Sequence, residues 1–78
     1  MPTVYREAGF RFFFYSDDHT PIHIHVKKGG ALARIVLEPE ITIDLNHGFK
    51  AQELKKVITI ITKNYDHLIN AWNETFNQ

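Results

Sequence analysis

Thr20-Pro21-Ile22-His23-Ile24-His25-Val26-Lys27-Lys28-Gly29-Gly30-Ala31-Leu32-Ala33-Arg34-Ile35-Val36 is the stretch from which the fold can be read. Its first half alternates apolar and polar residues with period two, the mark of a half-buried strand. Ile22, Ile24 and Val26 point one way, and His23, His25 and Lys27 point the other. Gly29-Gly30 is the dipeptide of a two-residue hairpin. That turn sets Lys28 opposite Ala31, and the register follows: Lys27 with Leu32, Val26 with Ala33, His25 with Arg34, Ile24 with Ile35 and His23 with Val36. One face of the hairpin is apolar. The other gathers His23, His25, Lys27 and Arg34.

Upstream, Phe10–Tyr15 reads as a strand with Phe10, Phe12 and Phe14 on one face and Arg11, Phe13 and Tyr15 on the other. Thr3–Glu7 can form a short strand ahead of an Ala8-Gly9 turn. The polar run Ser16-Asp17-Asp18-His19-Thr20-Pro21 is a loop. Downstream, Glu38-Pro39-Glu40 breaks the ladder, and Ile41–Leu45 is a strand with Ile41, Ile43 and Leu45 facing inward. Asn46-His47-Gly48 is turn chemistry. From about Lys50 the apolar period becomes helical, with Leu54, Val57, Ile58, Ile61, Tyr65, Leu68, Ile69, Trp72 and Phe76 on one stripe. An unbroken helix of that length would span roughly 40 Å, so a kink or a split into two helices is expected near Asn64. The order specifies an α+β fold: a four-stranded, mainly antiparallel sheet followed by a C-terminal helix packed on one face.

The chain has 78 residues, enough for a single domain spanning 1–78. So short a chain buries only about 60% of the surface its unfolded form exposes, and its stability depends on a well-filled core. Nine basic and nine acidic residues cancel, so any attraction to nucleic acid or an anionic membrane must be local. Without cysteine there are no disulfides and no thiolate metal sites. No apolar run approaches membrane-spanning length and the N-terminus has no apolar signal core, which points to a cytoplasmic protein with no membrane partner.

Chemistry concentrates on the histidine strand. Alternate residues of a strand lie about 6.6 Å apart on one face. Two imidazoles so placed can flank a phosphate as base and acid, with Arg34 and Lys27 holding its charge. His23, His25 and Arg34 are then the catalytic candidates for metal-independent RNA cleavage. Lys27, Arg11 and Tyr15 are the candidates for holding substrate. That reading requires no cofactor. The alternative is a divalent transition metal on His23 and His25, with a third ligand from Asp17, Asp18 or His19 in the loop before them. A third reading makes these residues the wet face of a half-covered sheet. Phe13 and Tyr15 share that side, where exposed aromatics would stack bases or meet a partner. His47 reads as a turn residue and His67 as a solvated helix position. Aromatics left exposed, with Trp72 and Phe76 near the C-terminus, would suit a homodimer.

Five segments carry a resemblance to a known family: Met1-Pro2-Thr3-Val4, Gly9 to Ser16, His19 to Val26, Gly48-Phe49 with Glu53-Leu54, and Ala71-Trp72-Asn73-Glu74. On these the chain resembles, over nearly its whole length, the bacterial domain-of-unknown-function family DUF4160. The resemblance implies a small single-domain protein paired with a protein of the DUF2442 family in a toxin–antitoxin-like cassette, of which this chain is the RNA-acting half or the regulatory, binding half. Members of the family open their helix with a serine just after Gly-Phe. Here Lys50 stands after Phe49, which reduces the capping box to Glu53. His23-Ile24-His25-Val26 also resembles histidine-triad nucleotide hydrolases. Their third alternating histidine is replaced here by Lys27.

Overall fold

The structure, a computed structural model, describes residues 3–76; Met1 and Pro2, at the head of the first family motif, lie outside the described residues. Five strands follow one another in a meander: β1 (Thr3–Glu7), β2 (Phe10–Phe13), β3 (His23–Lys28), β4 (Ala31–Val36) and β5 (Thr42–His47). Every neighbouring pair is antiparallel. Two helices close the chain, α1 (Ala51–Lys63) and α2 (Tyr65–Phe76).

The β3–β4 hairpin has the expected register at every pair, from His23 with Val36 to Lys28 with Ala31. The sheet has five strands instead of the expected four, because Thr3–Glu7 joins it as an edge strand. Ala8 and Gly9, at φ 54° and 83°, form the two-residue turn that pairs Glu7 with Phe10. Left-handed backbone at both central positions suits the right-handed twist of the strands it joins.

Two strands differ from their expected limits. β2 stops at Phe13 because the chain turns at once, Asp18 N donating to Tyr15 O and Tyr15 N donating to the Asp18 carboxylate. β5 runs to His47 and carries a bulge. Arg34 pairs with Leu45 and Ile35 with Ile43, which leaves Asp44 without an opposite residue. A bulge shifts the alternation by one residue. Leu45, expected inward, therefore shares the face of Arg34. Ile43 lies on the helix side at the sheet margin and is 41% exposed.

Both helices cover one face. Phe10, Phe12, Ile24, Val26, Ala33 and Ile35 form the buried floor, and Val57, Ile60, Ile61, Leu68 and Trp72 pack down on it. The predicted helical stripe supplies the contacting side chains, with Ile60 and Ala71 in addition. The break falls at Asn64, whose backbone N–H reaches the Ile60 and Ile61 carbonyls and whose side-chain amide donates to Ile60 O. Lys50 N donates to Glu53 Oε1 at 3.0 Å. The reciprocal bond is not available, since a lysine side chain accepts nothing. No helix among the described residues is long and apolar enough to cross a membrane.

Candidate functional site

The uncovered face of the sheet divides into two regions. Over the first half of β3 the loop from Phe14 to Ile22 folds back and brings Asp18 down onto the histidines. Asp18 Oδ1 lies 3.2 Å from His23 Nε2, and Asp18 Oδ2 lies 3.2 Å from His25 Nε2. Tyr15 N donates to the same Oδ2 at 2.9 Å and orients the carboxylate. His23 Nδ1 is 2.8 Å from Pro21 O. A carbonyl can only accept, so Nδ1 carries the hydrogen and Nε2 is the nitrogen that faces Asp18.

The rings are packed as well as bonded. Phe13 stacks on His25 with centroids 5.5 Å apart, Tyr15 meets His25 edge-on at 4.5 Å, and Trp72 tilts against His23 at 5.3 Å. Burial pushes the His25 imidazole below its ordinary pKa, against the pull of Asp18. Burial opposes ionisation of Asp18 in turn. The Tyr15 amide and the two imidazoles outweigh it and hold the carboxyl below the usual range.

His23 and His25 are 8% and 6% exposed, so the wet-face reading fails for both. Of the loop residues considered as a third ligand, Asp18 joins the imidazoles. Asp17 and His19 are exposed and line a neighbouring cleft of about 340 Å³, together with Thr20, Pro21, Arg34, Val36 and Asp44. Asp18 and His23 form the inner wall of that cleft. Arg34 is opposite His25 as expected, but its guanidinium turns to the bulge residue, with Nη2 2.7 Å and Nε 2.8 Å from Asp44 Oδ2. The bulge puts that carboxylate within reach, and period-two reading of β5 gives no sign of it.

Over the second half of β3 the face is open. Cross-strand partners share a face, and four consecutive pairings, Arg6 with Arg11, Arg11 with Lys27, Lys27 with Leu32 and Leu32 with His47, define one row across all five strands. Three cations thus stand side by side on β1, β2 and β3. Arg11 lies over the Phe13 ring at 4.6 Å and donates from Nε to Thr3 Oγ1. Arg6 and Lys27 are exposed and take part in no ion pair among the described residues. Phe13, a candidate stacking aromatic, is buried beneath Arg11. Tyr15 is the exposed one, at 39%. Arg6 is not among the residues that strand periodicity singles out, because it becomes a neighbour of Arg11 only once β1 is counted in the sheet.

No curated protein and no solved structure matches the chain in comparison. One family model does match, over residues 9–73 and so over most of the length, and the chain belongs to that family, described as Domain of unknown function (DUF4160).

Proposed function

We propose that this chain is a cytoplasmic, RNA-binding component of a toxin–antitoxin-like pair, and that it holds single-stranded RNA on the open half of its sheet. The observation that carries the reading is the Arg6–Arg11–Lys27 row. Like charges directly opposite one another on adjacent strands are destabilising. A chain with no net charge has no general excess of cations to scatter there. A row with no carboxylate interposed is therefore best accounted for by a polyanion lying across it. Strands spaced by about 4.8 Å make the row roughly 10 Å long, suited to a short run of phosphates. Tyr15 beside it offers one exposed ring for a base.

Binding fits this geometry better than cleavage. A base that takes a proton from a 2′-hydroxyl needs a free imidazole nitrogen, and the Nε2 atoms of His23 and His25 both face Asp18. Arg34, expected to hold phosphate, is engaged by Asp44. In this reading the protein partner is the DUF2442-family chain that the resemblance implies.

Fluorescence anisotropy with a labelled oligoribonucleotide of about 12 nucleotides tests the proposal. Wild type is expected to bind at low salt, and Arg11→Gln/Lys27→Gln to bind at least tenfold more weakly. Equal binding by both proteins, or none by either, overturns it. A matched DNA strand and a duplex RNA serve as competitors, and either one displacing the probe as well as RNA does contradicts the single-stranded RNA assignment.

A further inference from the structure

His23 faces Asp18 through a contact that the neutral ring cannot satisfy. Its Nδ1–H is committed to Pro21 O, so in the neutral ring Nε2 is a bare lone pair. That lone pair faces Asp18 Oδ1 at 3.2 Å, one acceptor against another. A second proton on the ring, or a metal ion in its place, joins them. His25 Nε2 converges on the same carboxylate from the other side, and the three ligand atoms lie within 4.8 Å of one another.

We propose that Asp18, His23 and His25 form a binding site for one divalent transition-metal ion. The spacing suits it. Ligand bonds of about 2.0 Å in tetrahedral array put neighbouring donor atoms about 3.3 Å apart, and the single oxygen Asp18 Oδ1 lies 3.2 Å from His23 Nε2 and 3.4 Å from His25 Nε2. The supporting contacts suit it as well. A ligating imidazole ordinarily donates its other N–H to a backbone carbonyl or carboxylate, and ligating carboxylates are themselves hydrogen-bonded. Pro21 O serves His23 in this way and Tyr15 N serves Asp18. Two imidazoles and one carboxylate without thiolate select zinc, iron, cobalt or nickel over magnesium and calcium, which prefer oxygen throughout. Three protein ligands leave a position open, and Asp18 and His23 form the wall of a cleft that also holds His19 and Arg34. The open position faces that cleft, where water or an anionic ligand can enter. The site shares no residue with the cationic row, so it stands or falls independently of RNA binding.

Calorimetric titration of untagged, chelator-stripped protein with zinc chloride tests this. One ion per chain is expected, with affinity lowered at least about 100-fold in Asp18→Asn and in His25→Gln, and unchanged in Lys27→Gln. Cobalt chloride should give the visible absorption bands of a site with nitrogen and oxygen ligands. Absence of stoichiometric binding, or binding that survives His25→Gln, overturns the proposal. Should a variant fail to fold, nitrogen-15 spectra of the wild-type imidazoles decide. Zinc is expected to move the Nε2 signals of His23 and His25, and perturbation confined to His19, His47 or His67 contradicts the site.

Discussion

Replacing Asp18 with alanine removes one carboxylate on which three groups converge, two buried imidazoles and one exposed backbone N–H. His23 Nε2 and His25 Nε2 each lose a partner at 3.2 Å, and the Tyr15 N–H loses its acceptor at 2.9 Å. A buried polar group left unsatisfied costs about 1–3 kcal/mol. The adjoining cleft admits water to the His23 side, so the lower part of that range applies to each group. The two imidazoles sum to about 2–3 kcal/mol, with water replacing the acceptor of the exposed Tyr15 N–H, and this is a large share of the ~5–15 kcal/mol that holds a domain folded. Urea unfolding followed by circular dichroism, with chelator present to exclude metal, measures it. Asp18→Ala in a His23→Phe background should cost about 1 kcal/mol less than in wild type, because one of the three groups is already gone. A loss below about 0.5 kcal/mol in wild type, or full additivity in the double variant, would refute the claim that Asp18 is the common partner.

Ala8 occupies a left-handed turn position at φ 54°, where a non-glycine residue is strained by about 1 kcal/mol. Ala8→Asn should raise the melting temperature by about 4–8 °C, and a fall would show that the hairpin does not use this turn. Trp72 is buried against Phe14, Phe76 and His23, so Trp72→Ala should cost about 3–5 kcal/mol and leave little folded protein at 37 °C; a cooperative transition close to wild type would contradict that packing. Glu7 accepts from Lys63 at 2.9 Å and from Tyr5 at 2.7 Å, and these bonds, led by that of Lys63, hold its carboxyl below the ordinary value. A depressed carboxyl contributes stability that is present above its unfolded pKa, near 4.5, and is lost as pH falls through the folded one. The gap in urea midpoint between wild type and Glu7→Gln should therefore close on acidification from neutrality to pH values below that range, and a constant gap would exclude the linkage.

The parts of this fold legible in the sequence are those set by strict periodicity. Gly29-Gly30 dictates the β3–β4 register, and the apolar stripe from Leu54 to Phe76 locates the helix faces and their break at Asn64. What escapes is irregular. A bulge at Asp44 needs no glycine or proline to mark it, yet it turns Leu45 to the opposite face and gives Arg34 a carboxylate to pair with. The approach of Asp18 depends on a loop whose course is decided by two hydrogen bonds between Tyr15 and Asp18. Composition and spacing narrow the third partner of the histidines to Asp17, Asp18 or His19, and only the turn selects among them. The cationic row follows from the Ala8-Gly9 turn by the same register argument that works for β3–β4, once the short strand Thr3–Glu7 is granted a place in the sheet.

The salt dependence of RNA binding tests the function proposed for the open face most directly. Each phosphate neutralised on a single strand contributes about −0.7 to the slope of log K against log salt. Contacts by Arg6, Arg11 and Lys27 give a slope near −2, and hence a loss of roughly 20-fold between 50 and 200 mM salt. In Arg11→Gln/Lys27→Gln the slope should flatten to about −0.7. A wild-type slope near zero, or one that the double variant leaves unchanged, would show that the row does not hold the phosphate backbone.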